Sequence, residues 1–502
     1  MELSFQKHPY HFLRNIVRET RFQEETAEII VPDSYPDIGS IADSFADAIL
    51  RGKDCRDGSV TVAGGVKGSV LYIPDDQTHP RNLEVYIPFT FKIDHPALTA
   101  SAQVICTVRV RSVDSRMINS RKAMLRVNLG CEICAYEEAT EEWYEQPDDI
   151  PGLQLKETTY TTILPQKTAE RSFAVNDTME LQPGGAPVSQ IYRFQCTPEL
   201  TDEKLIGNKA VFKGILRCKL LYMSDNHTLH LYEQNMPFSQ YCELRGDYDE
   251  ETVATQISVT GYDVDQSGIM DGQQIPISIN LLAQCIISGQ KTMRMIEDAY
   301  CTKGELHPQW QELPFEGSLD QQNHIQSVRH HISGDLREVL DTQTYWDYPE
   351  IVRNGDRVEV RIPASVRVLG YDGSGLLCAL TGRTETKREL DLSDHAVCHV
   401  RSLPVGEMVS STASGGVDVN CNTKMAIQCY SNEQLRTLCG GSVEYADTAQ
   451  AKRPSVVVRS VQSGASLWDL AKLYKTTVDN IKEANHLDAE EISEATVILL
   501  PM

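Results

Sequence analysis

The 502-residue chain lacks any run near the roughly 20 apolar residues that cross a bilayer; even Ile279–Gly289 (INLLAQCIISG) is too short, so no transmembrane segment is expected. The opening MELSFQKHPYHFLRNIVRET holds no apolar run of signal-peptide length, which points to a cytoplasmic protein. Positive charge is scarce, with 47 Lys and Arg against 71 Asp and Glu and a net charge of −24. Without a global positive field, nucleic acid and anionic membranes are poor partners. Enzyme signatures are missing as well: there is no Gly-rich loop ending in Lys-Ser/Thr, no G-x-S-x-G elbow and no HExxH helix. No catalytic residue, cofactor or metal is therefore expected.

Cysteine is not lacking, but it forms no framework. The 14 cysteines are scattered, mostly inside apolar strand-like runs, and read as reduced core thiols. The one CxxC, Cys131 and Cys134, has no second pair, and on a strand its two members point to opposite faces. The same geometry makes His330-His331 a solvated face rather than a metal site. The acidic run Glu137–Glu145 (EEATEEWYE) reads as a solvated helix or loop surface.

What the chain does have is a repeat of about 150 residues. Ser59–Asp76 (SVTVAGGVKGSVLYIPDD) lies on Lys209–Asn226 (KAVFKGILRCKLLYMSDN) without a gap, matching Gly64 with Gly214, Leu71 with Leu221 and Tyr72 with Tyr222. Pro88-Phe89 then meets Pro237-Phe238, and Asn128 meets Asn280. A fainter third copy contains Val366–Gly375 (VRVLGYDGSG) and Asn420. There Gly370 intervenes before Tyr371, and a bulge at that glycine is expected to keep Tyr371 on the face of the other tyrosines. Val60, Val62, Gly64, Val66, Gly68, Val70 and Tyr72 share one parity, the alternation of a half-buried strand, and turn clusters follow each such run. The chain thus reads as mainly β: three tandem β-rich, sandwich-like domains (1–150, 151–305 and a divergent 306–438), a linker (439–454) and a small C-terminal module (455–502). Trp143, Trp310 and Trp346 sit in loop-like acidic or proline-containing contexts.

The strand with its Tyr-ended turn, the Pro-Phe strand and the later "VNL" strand, in tandem, resemble the SPOCS domain of bacterial spore coat assembly proteins. The Pro-rich Val31–Ile41 (VPDSYPDIGSI) fits the same family. None of these motifs is catalytic.

The C-terminal module has a different pattern. Val456–Val458 is a short strand, and Ser466 is an N-cap for a helix with Leu467, Leu470, Ala471 and Tyr474 on one face. "TTV" opens a second helix with Val478, Ile481 and Ala484 inward, and "ATVILLP" closes a β-α-α-β unit. With Gln462-Ser463-Gly464, Ser466-Leu467-Trp468 and Ala484-Asn485 it resembles a LysM domain. The resemblance implies a shallow groove for N-acetylglucosamine chains, between the first strand–helix turn and the second helix–strand loop. On this chain that groove would comprise Gly464, Ala465, Ser466, Leu467 and Trp468 on one side and Asn485, His486, Leu487 and Asp488 on the other. Three rim positions depart from the family pattern: Ala465, Arg459 and Glu494-Ala495-Thr496. The module also carries four basic residues against seven acidic ones from Ser455 onward, which does not favour an acidic wall.

SPOCS repeats followed by one LysM module resemble a clostridial-type family of spore morphogenetic proteins of the mother-cell cytosol. That resemblance implies a non-enzymatic scaffold of the spore coat at the forespore surface, whose LysM module contacts the coat's basement-layer ATPase. Binding of peptidoglycan or another N-acetylglucosamine glycan is the alternative. Exposed edge strands leave room for self-association, and the linker is expected to let the LysM module search while tethered.

Overall fold

A computed structural model describes residues 1–147, 150–181, 184–246, 248, 251–266, 269, 273–355, 357–392, 396–445, 455–489 and 491–501. The fold is multidomain and mainly β, with two short helices near the C-terminus. The first repeat contains β1 (Phe5–Ile30), β2 (Ile38–Arg56), β3 (Ser59–Pro74), β4 (Arg81–Asp94), β5 (Gln103–Asn119) and β6 (Lys122–Pro147). They form two three-stranded antiparallel sheets, ordered β2-β3-β4 and β1-β6-β5. The alternating residues of β3, from Val60 to Tyr72, close against Leu125, Val127, Leu129 and Ile133 of β6 in one core.

The second repeat has the same plan. It runs through β7 (Leu153–Glu180), β8 (Val188–Ile206), β9 (Lys209–Ser224), β10 (Leu229–Glu243), β11 (Thr252–Val264) and β12 (Gln274–Cys301), in sheets β10-β9-β8 and β11-β12-β7. The third contains β13 (Gly304–Ser333), β14 (Glu338–Trp346), β15 (Glu350–Asn354), β16 (Arg357–Tyr371), β17 (Leu377–Asp391), β18 (Ala396–Pro404), β19 (Val409–Ala413) and β20 (Gly416–Tyr445). Here β14 and β15 share the place that β2 and β8 fill as single strands, and β20 pairs with β13, β18 and β19.

The glycines of the repeat have a steric cause. A Cβ at Gly64 would lie 2.3 Å from the Ile49 carbonyl oxygen and 2.4 Å from the Phe89 ring; at Gly214 the same distances are to the Glu199 oxygen and the Phe238 ring. Each glycine makes room for the phenylalanine directly across from it on the neighbouring Pro-Phe strand. The tyrosines match too: Tyr72 Oη donates to the Pro36 oxygen at 2.9 Å and Tyr222 Oη to the Ala186 oxygen at 3.1 Å.

In the third repeat the register differs from the expected one. Gly370 itself pairs with Val339, where Tyr72 pairs with Ile41 and Tyr222 with Ile191. The bulge lies on the opposite strand β14, between Val339 and Asp341, and Tyr371 falls where Ile73 and Met223 fall. The reason is space, since a Cβ at Gly370 would sit 2.1 Å from the Glu338 oxygen.

The bulges bring the repeats together. Ala42, Tyr192 and Leu340 are bulged out at equivalent points, and they share one cluster with Leu71, Leu221 and Leu369. Equivalent residues therefore meet around an internal pseudo-threefold axis. Beside that cluster, the next position of each strand is charged: Asp43, Arg193 and Asp341. Arg193 bonds Asp43 at 3.2 Å and also bonds Asp341; Arg367 reaches Asp43 at 3.0 Å and Lys219 reaches Asp341 at 3.1 Å. Burial raises the Asp341 carboxyl pKa, but Arg193 and Lys219 outweigh it and leave the group below its ordinary value.

Each repeat's first strand pairs with its last over 26 to 30 residues, or about 90 Å at roughly 3.3 Å per residue. The far ends of these pairs leave the sheets as two-stranded ribbons. Leu3, Ile150, Ile296, Ala299, Cys301, Leu438 and Val443 bind the ribbons to one another, and Met293, Leu313, Phe315 and Leu435 pack farther in. The result is a three-ribbon stalk on a three-lobed body.

Several local readings change with the stalk. The acidic run Glu137–Glu145 is strand β6, with Glu141 paired to Arg14 at 2.8 Å and Glu142 to Lys7 at 3.0 Å. Residues 439–445, expected in a linker, extend β20 to Tyr445, while 446–454 lie outside the described residues. The three tryptophans lie on strands: Trp310 packs in the stalk under Arg436, Trp346 is buried at the end of β14, and Trp143 belongs to β6. Cys131 and Cys134 do face opposite sides of β6, and His331 pairs with Asp418 at 2.8 Å.

Candidate functional site

The C-terminal module comprises β21 (Val456–Val461), α1 (Leu467–Tyr474), α2 (Val478–Asn485) and β22 (Thr496–Pro501), in the expected order. The Ser466 hydroxyl caps α1 by accepting from the Asp469 amide at 3.4 Å, and Thr477 caps α2 through the Asn480 amide at 3.1 Å. Each helix ends on a residue in the left-handed region, Lys475 and His486. Leu467, Leu470, Ala471 and Ile481 close a small core against Ile498 and Leu500 of the two-stranded sheet.

The nine candidate groove residues divide by role. Leu467 is fully buried, Ser466 is occupied as a cap, and Ala465 and Leu487 pack against the core. The Asn485 side chain is bound on both ends: its amide nitrogen donates to the Leu499 and Ile481 oxygens at 2.6 and 2.8 Å, and its oxygen accepts from the Leu499 amide at 2.7 Å. That side chain ties α2 to β22 instead of pointing at a ligand. The loops are joined by backbone as well, Gly464 donating to the Ile492 oxygen at 2.7 Å and Ile492 to the Ala465 oxygen at 3.1 Å. Gly464, His486 and Asp488 are left exposed at the rim.

Trp468 turns the other way. Its Nε1 donates to Asp298 Oδ2 at 2.8 Å, and its ring meets Tyr300 edge-on, with centroids 4.9 Å apart. Both residues belong to β12 at the stalk tip. Lys472 Nζ bonds the two Asp298 oxygens at 2.6 and 2.8 Å, Tyr300 Oη donates to the Thr476 oxygen at 2.8 Å, and Lys475 Nζ to the Gly304 oxygen at 3.2 Å. Burial raises the Asp298 carboxyl pKa, yet Lys472 and Trp468 outweigh it and hold the group below its ordinary value. Burial alone drives the Tyr300 phenol upward before Asp298 adds to the rise. The module is seated on the stalk by α1, so the picture of a freely searching tether gives way to a docked one. Sequence pattern could not show this, because Asp298 and Tyr300 are about 170 residues from Trp468 and Thr476.

With α1 turned inward, the outer face of the module's sheet is left bare. Val458 pairs with Leu499 and Ser460 with Val497 across it, and Val456, Val458, Val497 and Leu499 are 49%, 64%, 61% and 41% exposed. Among the described residues no group of three or more His, Cys, Asp or Glu could hold a metal ion, and no helix is long and apolar enough to cross a membrane.

Residues 187–266, spanning β8 to β11, match the family described as "SipL, SPOCS domain", and residues 460–501 match the LysM domain. No curated protein and no solved structure matches the chain. The molecule is thus a β-repeat protein with a terminal LysM module. More particularly, it carries a SipL-type SPOCS domain in its second repeat, and the two domains together suggest a sporulation-related protein.

Proposed function

We propose that this chain is a non-enzymatic scaffold of spore coat assembly, and that its LysM module binds a coat morphogenetic protein. The observation that carries the reading is the bare apolar face of the LysM sheet. Four branched aliphatic side chains on a flat two-stranded surface suit a protein surface, from which apolar area is removed on association. They offer no hydrogen-bonding groups to a sugar. The stalk holds this face away from the three-lobed body, where a large partner can reach it. The family resemblance supplies the partner, the coat's basement-layer ATPase, and the place, the mother-cell cytosol at the forespore surface.

The test uses the full chain to capture that ATPase, comparing wild type with Val458→Glu/Leu499→Glu. These side chains point to solvent, so the double variant should fold as wild type and lose capture at least tenfold. Unchanged capture by the folded variant overturns the assignment of this face.

Glycan binding through the rim is the second reading, favoured by the LysM match itself. Titration with chitotetraose decides it: saturable micromolar binding, lost in a variant altered at His486 and Asp488, would replace the protein-partner reading. Asn485→Ala is not a suitable probe of sugar contact, because that side chain holds β22 in place.

A further inference from the structure

Where the stalk joins the body, the outer faces of sheets from all three repeats enclose a chamber of about 590 Å³. Its size is that of a small-molecule site. The third repeat contributes the polar wall. His399 and Arg401 lie on one face of β18, and Lys424 of β20 lies on the same face, diagonal to Arg401 because Arg401 pairs with Ala426. The first repeat adds Arg18 from β1, and the second adds Glu203 from β8.

These cations are short of acceptors. The Arg401 and Lys424 side chains form no hydrogen bond or ion pair among the described residues, and the Arg18 side chain has only the Tyr136 hydroxyl, at 3.4 Å. A guanidinium carries five N–H donors and an ammonium three. Three carboxylates share the wall, Glu199, Glu203 and Glu251. Glu199 is paired with Arg217 at 2.6 Å, and Glu203, which faces Arg401 and Lys424, already accepts from the Thr255 amide at 2.6 Å. Burial pushes the Glu203 carboxyl up, while Arg401 and Lys424 pull it down. On the opposite side His399 is lowered to about 4 by burial and by Arg18, so the imidazole is neutral and adds no competing charge.

The repeat register shows that this charge is a departure from the shared pattern. Counting four residues beyond Asn128, Asn280 and Asn420 gives Glu132, Gln284 and Lys424 as equivalents. Gln284 is committed to the joint between the first two repeats, exchanging hydrogen bonds with the Cys106 backbone at 2.8 and 3.2 Å. Only in the third repeat does this position carry a cation, and it opens on the chamber.

We propose that the chamber binds a small multivalent oxyanion, a phosphoryl or polycarboxylate group, held by Arg18, Arg401 and Lys424. The two bonds from each of two planar forks and the ammonium charge match an ion with several anionic oxygens. The proposal does not depend on what the LysM module binds.

Calorimetric titration of the full chain with pyrophosphate and with citrate, at constant ionic strength, tests it. Saturable one-site binding of either anion is expected, pyrophosphate alone indicating a phosphoryl ligand and citrate alone a polycarboxylate. Arg401→Gln/Lys424→Gln should weaken binding at least tenfold in a chain that still folds, since neither side chain holds a hydrogen bond or ion pair among the described residues and Gln keeps most of the side-chain volume. Arg401→Gln alone provides the same comparison if the double variant does not fold. Glu203→Gln, which keeps an acceptor for Thr255 and removes the opposing charge, should tighten binding several-fold. No saturable binding of either anion, or binding unchanged in the folded Arg401 and Lys424 variants, overturns the proposal.

Discussion

The strand that opens the inner sheet is continuous in the first two repeats and broken in the third. β2 and β8 each run 19 residues with bulges at the same places, whereas β14 and β15 are separated at residues 347–349. In the continuous strands the carbonyls of Ile49 and Glu199 press on Gly64 and Gly214. At the break neither β14 nor β15 is in register with the equivalent position, which holds Ile362, and Thr386 lies across from it on β17 in place of phenylalanine. A glycine–phenylalanine pair has become an isoleucine–threonine pair, with the bulk moved from one strand of the pair to the other.

The break also has a use. Asp347 and Tyr348, freed from the strand, reach the first repeat. Arg111 pairs with Asp347 at 2.6 Å, and the single Tyr348 hydroxyl proton is shared between the Thr107 and Gly130 oxygens at 2.8 and 3.1 Å. What looks like erosion in the sequence is the joint that closes the third repeat on the first. The charged positions next to the bulges teach the same lesson, since an arginine in the second repeat meets aspartates in the other two.

Substitutions at four positions probe this comparison, each read by chemical denaturation of the full chain. Arg193→Ala should have the largest effect, about 3–5 kcal/mol, because Asp43 and Asp341 would stay buried without their shared partner. A loss below about 1 kcal/mol would mean that the repeats are not joined through this group. Tyr348→Ala should cost about 3 kcal/mol by emptying a buried ring site at the third-to-first joint. Tyr348→Phe should recover most of it, and equal losses in the two variants would contradict a packing role for the ring. Gly214→Ala should cost about 2 kcal/mol through overpacking against the Glu199 carbonyl and the Phe238 ring, whereas a neutral result would show the glycine to be incidental. Thr386→Val, in the repeat that lost the phenylalanine, should stabilise by about 1 kcal/mol, because the Thr386 hydroxyl is buried without a partner. Destabilisation there would point to a bonded hydroxyl.

Much of the fold is legible in the sequence because its signals are local. The alternation from Val60 to Tyr72, the Gly64/Gly214 match and the caps at Ser466 and Thr477 each act within one strand or turn. The stalk is not legible, since it pairs β1 with β6 across more than 100 residues, and the apolar residues that join the ribbons are few and set among charged ones. That is why Glu137–Glu145 reads as a loop. At Gly370 the sequence shows an extra residue but not which of two paired strands takes up the slack. For the LysM module the core residues were readable and the ligand roles were not, because Asn485 and Leu467 occupy groove positions while serving the module's own structure. Trp468 carries a partner signal that is satisfied within the chain.

Docking of the LysM module on the stalk is the claim from which the exposed face, and so the proposed partner, follows. It also has a pH signature. The Asp298 carboxyl is lowered in the folded protein, so its stabilisation is complete above the ordinary carboxylate range and is lost as pH falls through the lowered value. The most direct measurement is ¹⁵N relaxation of the LysM amides in the full chain. Docking predicts one rotational correlation time for the module and the three-lobed body at neutral pH, and a shorter one for the module in Asp298→Ala/Tyr300→Ala. A several-fold shorter correlation time for the module in the wild-type chain would contradict it.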